Sequence, residues 1–579
     1  MFKHLIYQIL VAGLTIIAFS AAGEYGIINL DDVIYLIDRA GSYSFSWAFT
    51  WVGDAMWTPL TWLSYWADRC VFGTEWGWYH WHNIVLHAIS ALLLFRLLML
   101  LFGGRTFGSI VAICAVTLMW SVHPLRVESV VWLASRKDCI STLFFLASLV
   151  IWASSNKWPW LVASIVIFTI GGLAKSSVMV FPAFVLAIDF LIVGKRKPCA
   201  FYLIAILISL AFAWEAGYAQ KAGGAGYVAT MIPSWYRGLN AFCSLTIYVK
   251  NTLCPTDLAA QCLLRYPLIP RFSLVGFGVI CIGGWYCYKF FRCCVEQKNI
   301  PKNPIVAGIL VFSASLVPFL GFIGFGNHAL ADRFTLLPSL GISFICLGII
   351  TAIMSKESNT GINNNCVLIA SCIAVIACFS LTRRQTTFWE TDRTVFERTL
   401  AVDGATNLLA QEELTMYYYE NYHDFDKVFQ HGYALLFGPY WQSKTAAHLG
   451  PIILEAAYET GHQKEAEQIY DWQKFWGMEK LREIRRQNPF IENLDTLRYS
   501  DIVRAAYNER KLNYAEKSFK EVEAEFPDSF IMKDIRYLLA RRSGDQQRID
   551  DAIRKAYAPI GESYLKNRWA LKLADKLEQ

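Results

Sequence analysis

Along positions 1–382 the chain alternates between long apolar stretches and short polar ones. From Arg383 onward it turns polar and helix-forming, as in KEAEQIYDWQKFWGMEKLREIRRQ. A membrane crossing needs about 20 mainly apolar residues, and about eleven segments meet that demand. They lie near 5–22, 83–102, 107–122, 139–154, 159–174, 177–193, 200–214, 273–291, 304–321, 334–353 and 365–382. The pattern predicts an all-α, polytopic membrane domain over 1–382, followed by a helical domain over 383–579.

The connections fall into two sets. One set holds Lys3, Gly103 to Arg105, Asn156 and Lys157, GKRKP (194–198), RCCVEQKNIPKN (292–303) and SKES (355–358). These loops are short and rich in Lys and Arg, which places them in the cytoplasm together with the N-terminus. The other set comprises the loop 23–82, then HPLRVES, then Lys175, the loop 215–272 and NHALADR (327–333). It faces the periplasm or a lumen, and an odd number of spans puts the C-terminal domain on that side. RGLNAFCSLTIYVKNTL (237–253) is amphipathic and reads as an interfacial helix; if it spans instead, the parity behind it changes. The first apolar segment reads as a retained span rather than a cleaved signal, because acidic residues of functional character follow it.

Composition agrees with this: 55% of the residues are hydrophobic and 17% charged, against about a quarter charged in an ordinary soluble domain. A net charge of +6, much of it in loops, points to no nucleic-acid partner. The 15 cysteines all lie at or before Cys378 and most fall in apolar segments, where they act as small hydrophobes. Cys254 and Cys262 are the one pair to consider for a disulfide.

Ionisable groups at membrane depth are costly and mark functional sites by default. Any single Arg or Lys here can be explained as a helix-end anchor. That explanation fails jointly, since acids and bases occur together at several outer-side positions. Asp31 and Asp32 follow the first span in GIINLDDVIYLID; such a pair suits a general base toward a hydroxyl, or else a helix N-cap. HPLRVESVVWLASRKD (123–138) carries His123, Arg126, Glu128, Arg136, Lys137 and Asp138. Read as one helix, Glu128 and Arg136 lie two turns apart on one face, either as phosphate-binding and orienting groups or as an internal ion pair. Lys175 in GGLAKSSVMV is an ammonium among small residues, suited to a phosphate. Arg333 in NHALADRFTLLP has the same character, with Asp332 beside it and His328 a turn before; a plain helix-entry pair is the alternative. His80, His82 and His87 in YHWHNIVLHA lack metal-ligand spacing and read as an interfacial belt, so no metal site is expected of them; no cofactor is required, and a divalent metal stays open as an alternative that ligand spacing does not support.

The ordered run NLDD, MWTPLTWLSYWAD, YHWHNIVLHA, HPLRVESVVWLASRKD, GGLAKSSVMV, ALADRFTLLPSLG and FWETDRTVFERTL, spanning about 25–400, resembles the transmembrane-and-tetratricopeptide-repeat family of protein O-mannosyltransferases and its bacterial homologues. The resemblance implies a GT-C glycosyltransferase fold, a polyprenyl-phosphate-linked sugar as donor and a bacterial inner-membrane location. It assigns Asp31 and Asp32 to the acidic pair that supplies the catalytic base. His123, Glu128, Arg136, Lys137 and Asp138 match the second outer-loop motif, and Lys175 and Arg333 match basic positions suited to the lipid phosphate. Leu30, Thr58 and the sequence AKSS depart from the usual pattern, which bears on the donor sugar more than on the reaction.

In the C-terminal domain, AAYETGHQKEAEQIY (456–470), AAYNERKLNYAEKSF (505–519) and LLARRSGDQQRIDDAI (538–553) share one plan, a tetratricopeptide-like hairpin. Stacked hairpins offer a concave face to a protein or peptide acceptor; a plain helical cap is the alternative. The expected activity is inverting transfer of one sugar from the lipid-linked donor to an acceptor hydroxyl, most simply Ser or Thr of a protein, on the outer face. A glycan or lipid acceptor, and a non-enzymatic flippase or scaffold, are the competing readings. A transporter places its ionisable residues near mid-span, whereas these gather at span ends.

Overall fold

The computed structural model describes residues 2–52, 55–103, 106–194, 196–222, 232–260, 262–263, 271–297, 300–321, 328–355, 364–437, 449–476, 502–505, 515–520, 530–545, 547–548 and 551. The chain divides into two compact units, Met1–Val395 and Phe396–Gln579. Residues 383–395 therefore pack with the apolar unit, although their composition is polar. There the backbone N–H of Asn29 donates to Asp392 (2.5 Å), and Trp389 stacks at a tilt against Trp132.

The first unit is an all-α polytopic membrane protein. Among the described residues seven helices are long and apolar enough to cross a bilayer: Leu5–Glu24, Trp76–Phe102, Leu133–Ser154, Ser176–Val193, Cys199–Ala222, Leu274–Gln297 and Leu368–Thr387. Phe107–Ser121 and Pro124–Val131 make an eighth only as a pair bent by 50°, and Trp158–Gly172, Pro304–Phe319 and Ser339–Met354 are shorter apolar helices. Every apolar stretch in the sequence is thus helical, but several fall short of a full crossing. Two of the short helices approach closely because Gly308 and Gly341 face each other; a methyl on either would run into the other's carbonyl oxygen.

The segment 123–138 is not one helix. It runs as a 3₁₀ turn Pro124–Arg126, a helical turn Val127–Val131, a second 3₁₀ turn Leu133–Ser135 and then the helix Arg136–Ser154. Trp132 breaks it with extended dihedrals (φ −71°, ψ 120°). Arg136, Lys137 and Asp138 consequently form the first turn of a span rather than a loop, with Asp138 on the favourable side of the helix dipole.

The loop 23–82 folds into short helices, Asp31–Val33 running on through Ile34–Asp38, then Phe45–Thr50 and Pro59–Phe72. The later loop contributes the helix Ser234–Leu253, which is not among those apolar enough to cross a membrane. It buries Tyr236, Asn240, Ser244, Ile247, Tyr248 and Asn251 at helical spacing and exposes Trp235, Leu239 and Phe242. Beyond it lies an exception to all-α architecture, a two-stranded antiparallel ribbon pairing Cys262–Leu263 with His328–Leu330. Cys254 and Cys262 are free thiols, one exposed and one buried, so no disulfide joins them.

The second unit contains the helices Leu408–Tyr422, Phe425–Phe437, Gly450–Glu459, Gln463–Trp476 and Phe530–Ser543, of which the first four pack consecutively. The stretches 506–514, 546, 549–550 and 552–553 of the expected repeats lie outside the described residues.

Candidate active site where four segments meet

Asp31 and Asp32 part company as soon as they fold. Leu30, not an aspartate, takes the helix-cap position, and no side chain caps that turn. Asp32 is fully buried and points back into the protein, accepting from the backbone N–H of Ile28 (3.0 Å) and of Ala134 (2.7 Å). It thereby ties the first loop to the second motif. Burial pushes its pKa up to about 7 against the opposing pull of those two N–H groups, with Asp31 and Asp392 adding to the rise.

Asp31 stays open: 38% of its side chain is exposed. One oxygen, Oδ2, accepts from the Tyr35 hydroxyl (3.3 Å) and lies 4.0 Å from the Lys137 ammonium. Lys137 in turn donates to the Tyr35 hydroxyl (3.4 Å) and sits over its ring, which meets Trp62 edge to face.

Two further ion pairs border this group. Lys175 donates to Asp138 (2.6 Å) and lies over Phe334. Arg333 binds Glu128 through its guanidinium and again through its backbone N–H (2.8 Å), with Trp132 and Phe334 against the guanidinium. Lys137 is within electrostatic range of Asp31, Asp138, Lys175 and Arg333 alike. His328 belongs to the same neighbourhood: burial, together with Arg333 and Lys137, pushes its pKa down to about 3, and its Nδ1 is buried without a hydrogen-bond partner. Asp332, beside Arg333, is raised well above the usual carboxylate range by burial and by Glu128.

The remaining motif residues turn inward. Arg136 is fully buried and bound through all three of its nitrogens, donating from Nε to Asn83 (2.8 Å), from Nη1 to Asp68 and from Nη2 to the Tyr79 carbonyl (2.9 Å). Its planar cation also lies over Tyr65 and Tyr79. Neither the Glu128–Arg136 pair nor a shared helical face exists, because the break at Trp132 sends the two side chains to different partners. Arg126 is likewise buried and donates to Thr335 (2.8 Å). His123 uses both ring nitrogens to fix the proline turn, Nδ1 with the Leu125 N–H (3.2 Å) and Nε2 with the Thr252 carbonyl (3.1 Å). His80, His82 and His87 take separate partners, the Gly26 carbonyl, Asp68 and the Ser121 carbonyl.

The structure therefore brings together Asp31, Lys137, Asp138, Lys175, Glu128, Arg333 and His328, and sets His123, Arg126 and Arg136 apart as internal supports. Sequence reasoning missed Tyr35 and Asp68. Tyr35 stands four residues after Asp31, one helical turn along the same face, which is a usable signal. Asp68 carried none beyond its place in a tryptophan-rich segment.

Chemically, the group joins a half-open carboxylate to several ammonium and guanidinium groups in a water-poor setting. Lys and Arg carry three and five N–H donors, so Lys175 and Arg333 keep donors free beyond their carboxylate partners. That combination suits an anionic ligand lying beside a hydroxyl that must lose a proton.

No family model and no solved structure matches the chain. It is similar to a protein O-mannosyl-transferase of Caenorhabditis elegans, with 23% identity over 359 residues. The match takes in 59% of this chain and 48% of that protein, so the chain spans about half the length of the curated relative.

Proposed function

We propose that the protein is a membrane glycosyltransferase of GT-C type that moves one sugar from a polyprenyl phosphate to an acceptor hydroxyl, most simply Ser or Thr of a protein. The observation that carries this is the meeting of Asp31 with Lys137, Lys175 and Arg333 from four separate segments. The distant likeness to a protein O-mannosyl-transferase supports it.

In this reading Asp31 is the base and Asp32 is its anchor, since only Asp31 has an open carboxylate. The acceptor oxygen attacks the anomeric carbon as its proton passes to Asp31. The bond from that carbon to the phosphate oxygen breaks, polyprenyl phosphate leaves with the bonding pair, and the configuration inverts. A phosphate leaving group needs charge stabilisation rather than protonation, and Lys175, Arg333 and Lys137 supply it where low dielectric strengthens each contact. His328 is neutral and supplies a hydrogen bond rather than a charge. The site faces the periplasmic side of a bacterial inner membrane, and the helical second unit holds the acceptor protein.

The test is transfer of a labelled sugar from its polyprenyl phosphate by membranes carrying Asp31→Asn or Asp32→Asn. Asp31→Asn is expected to lose activity by at least about a hundredfold, the lower end of what general-base removal costs. Near-normal turnover by Asp31→Asn defeats the base assignment.

A further inference from the structure

The two oxygens of Asp31 are not equivalent. Oδ2 is engaged on one side by the Tyr35 hydroxyl at 3.3 Å and on the other by Lys137 at 4.0 Å. Oδ1 carries no hydrogen bond to any described residue. Tyr35 itself is immobilised: it is 2% exposed, its ring is wedged edge to face against Trp62 at 5.0 Å, and its carbonyl accepts from the Tyr43 hydroxyl. Lys137, 4.9 Å above the same ring, donates to the Tyr35 hydroxyl at 3.4 Å, leaving the phenolic proton for Asp31 or for Met56 Sδ at 3.9 Å, of which the carboxylate is nearer and the stronger acceptor.

We infer that Tyr35 is a positioning residue of the transfer reaction, holding Asp31 by Oδ2 so that Oδ1 is the atom that receives the acceptor proton. This rests on the reading of Asp31 as the base. A carboxylate free to rotate about its last bond offers either oxygen in many orientations. One clamped through Oδ2 presents a single lone-pair direction, and fixed geometry is a large part of what a catalytic base contributes. The other charged groups around Asp31 are Asp32 beside it and Arg333 across the site, and neither is a hydrogen-bond partner of its carboxylate.

Tyr35→Phe isolates the hydroxyl, since the ring, its contact with Trp62 and its place under Lys137 are kept. The experiment measures transfer by the full-length protein in membranes with labelled polyprenyl-phosphate sugar, comparing wild type, Y35F and D31N. For Y35F, kcat is expected to fall about tenfold, as loss of one hydrogen bond to a charged group implies, with KM for the donor unchanged. Rates are normalised to folded protein, so a lower yield of Y35F leaves the result readable, and the unchanged KM separates a loss in the chemical step from a distorted donor site. An inactive D31N beside a Y35F with wild-type kcat overturns this inference alone. An active D31N overturns the base assignment and this inference with it.

Discussion

Replacing Arg136 separates the structural part of the charge cluster from the part that meets substrate. Its guanidinium is fully buried and bound to Asn83, Asp68 and the Tyr79 carbonyl, and Asp68 is itself only 3% exposed. In Arg136→Met the side chain keeps its bulk, but Asp68 is left with His82 as its remaining partner, at 2.9 Å. Breaking a buried ion pair from one side costs about 3–5 kcal/mol. The stranded Asn83 amide and Tyr79 carbonyl add up to about 1 kcal/mol each, partly overlapping with that cost. A loss on the order of 4 kcal/mol lowers the thermal midpoint of a chain this size by about 3 °C, from an unfolding entropy of about 2 cal/mol/K per residue. Arg136→Lys keeps a charge for Asp68 but loses the other two bonds, so about half that shift is expected. The assay is the midpoint of the detergent-solubilised full-length protein, followed by size exclusion after heating, with transfer rate normalised to folded protein. Should Arg136→Met keep a wild-type midpoint while the KM for donor rises about tenfold, the guanidinium is a phosphate ligand and its internal role is refuted.

Asp32 imposes a pH dependence whose sign comes from burial. Its pKa is about 7 in the folded protein against an ordinary 3.8, so the folded state holds the extra proton. The stability this contributes is complete below about pH 4 and is lost as pH rises through about 7. The midpoint of the wild type should therefore decline across that window, and Asp32→Asn should flatten the decline; an equal slope in both proteins contradicts it. All 15 cysteines are free thiols, so reducing agent should leave the thermal midpoint and the electrophoretic mobility unchanged, and a downward shift in midpoint contradicts the free state.

Much of the architecture was legible because apolar runs of span length allow few alternatives to helix. The limits of that legibility are equally physical. Run length does not distinguish a crossing helix from a short buried one, as Trp158–Gly172 and Ser339–Met354 illustrate. Helical spacing misplaced Glu128 and Arg136, because it assumes a continuous helix and Trp132 interrupts it. Their actual partners, Arg333 and Asp68, lie 205 and 68 residues away. Local pattern carries no information about such pairings; they are set by which spans pack together. Asp31 and Asp32 were legible as a pair and illegible as individuals, since the difference between them is the buried N–H of Ala134 that one of them meets.

The central claim is that the half-open Asp31 and the cations around it perform sugar transfer. The most direct measurement uses purified full-length protein in liposomes containing a polyprenyl phosphate that bears a radiolabelled sugar, with a Ser- and Thr-rich peptide as acceptor. Free polyprenyl phosphate and labelled peptide are monitored together. The account predicts that both appear in equal amounts with wild-type protein and that neither appears with Asp31→Asn. Movement of the labelled lipid between leaflets with no polyprenyl phosphate released, or release that Asp31→Asn leaves intact, contradicts it.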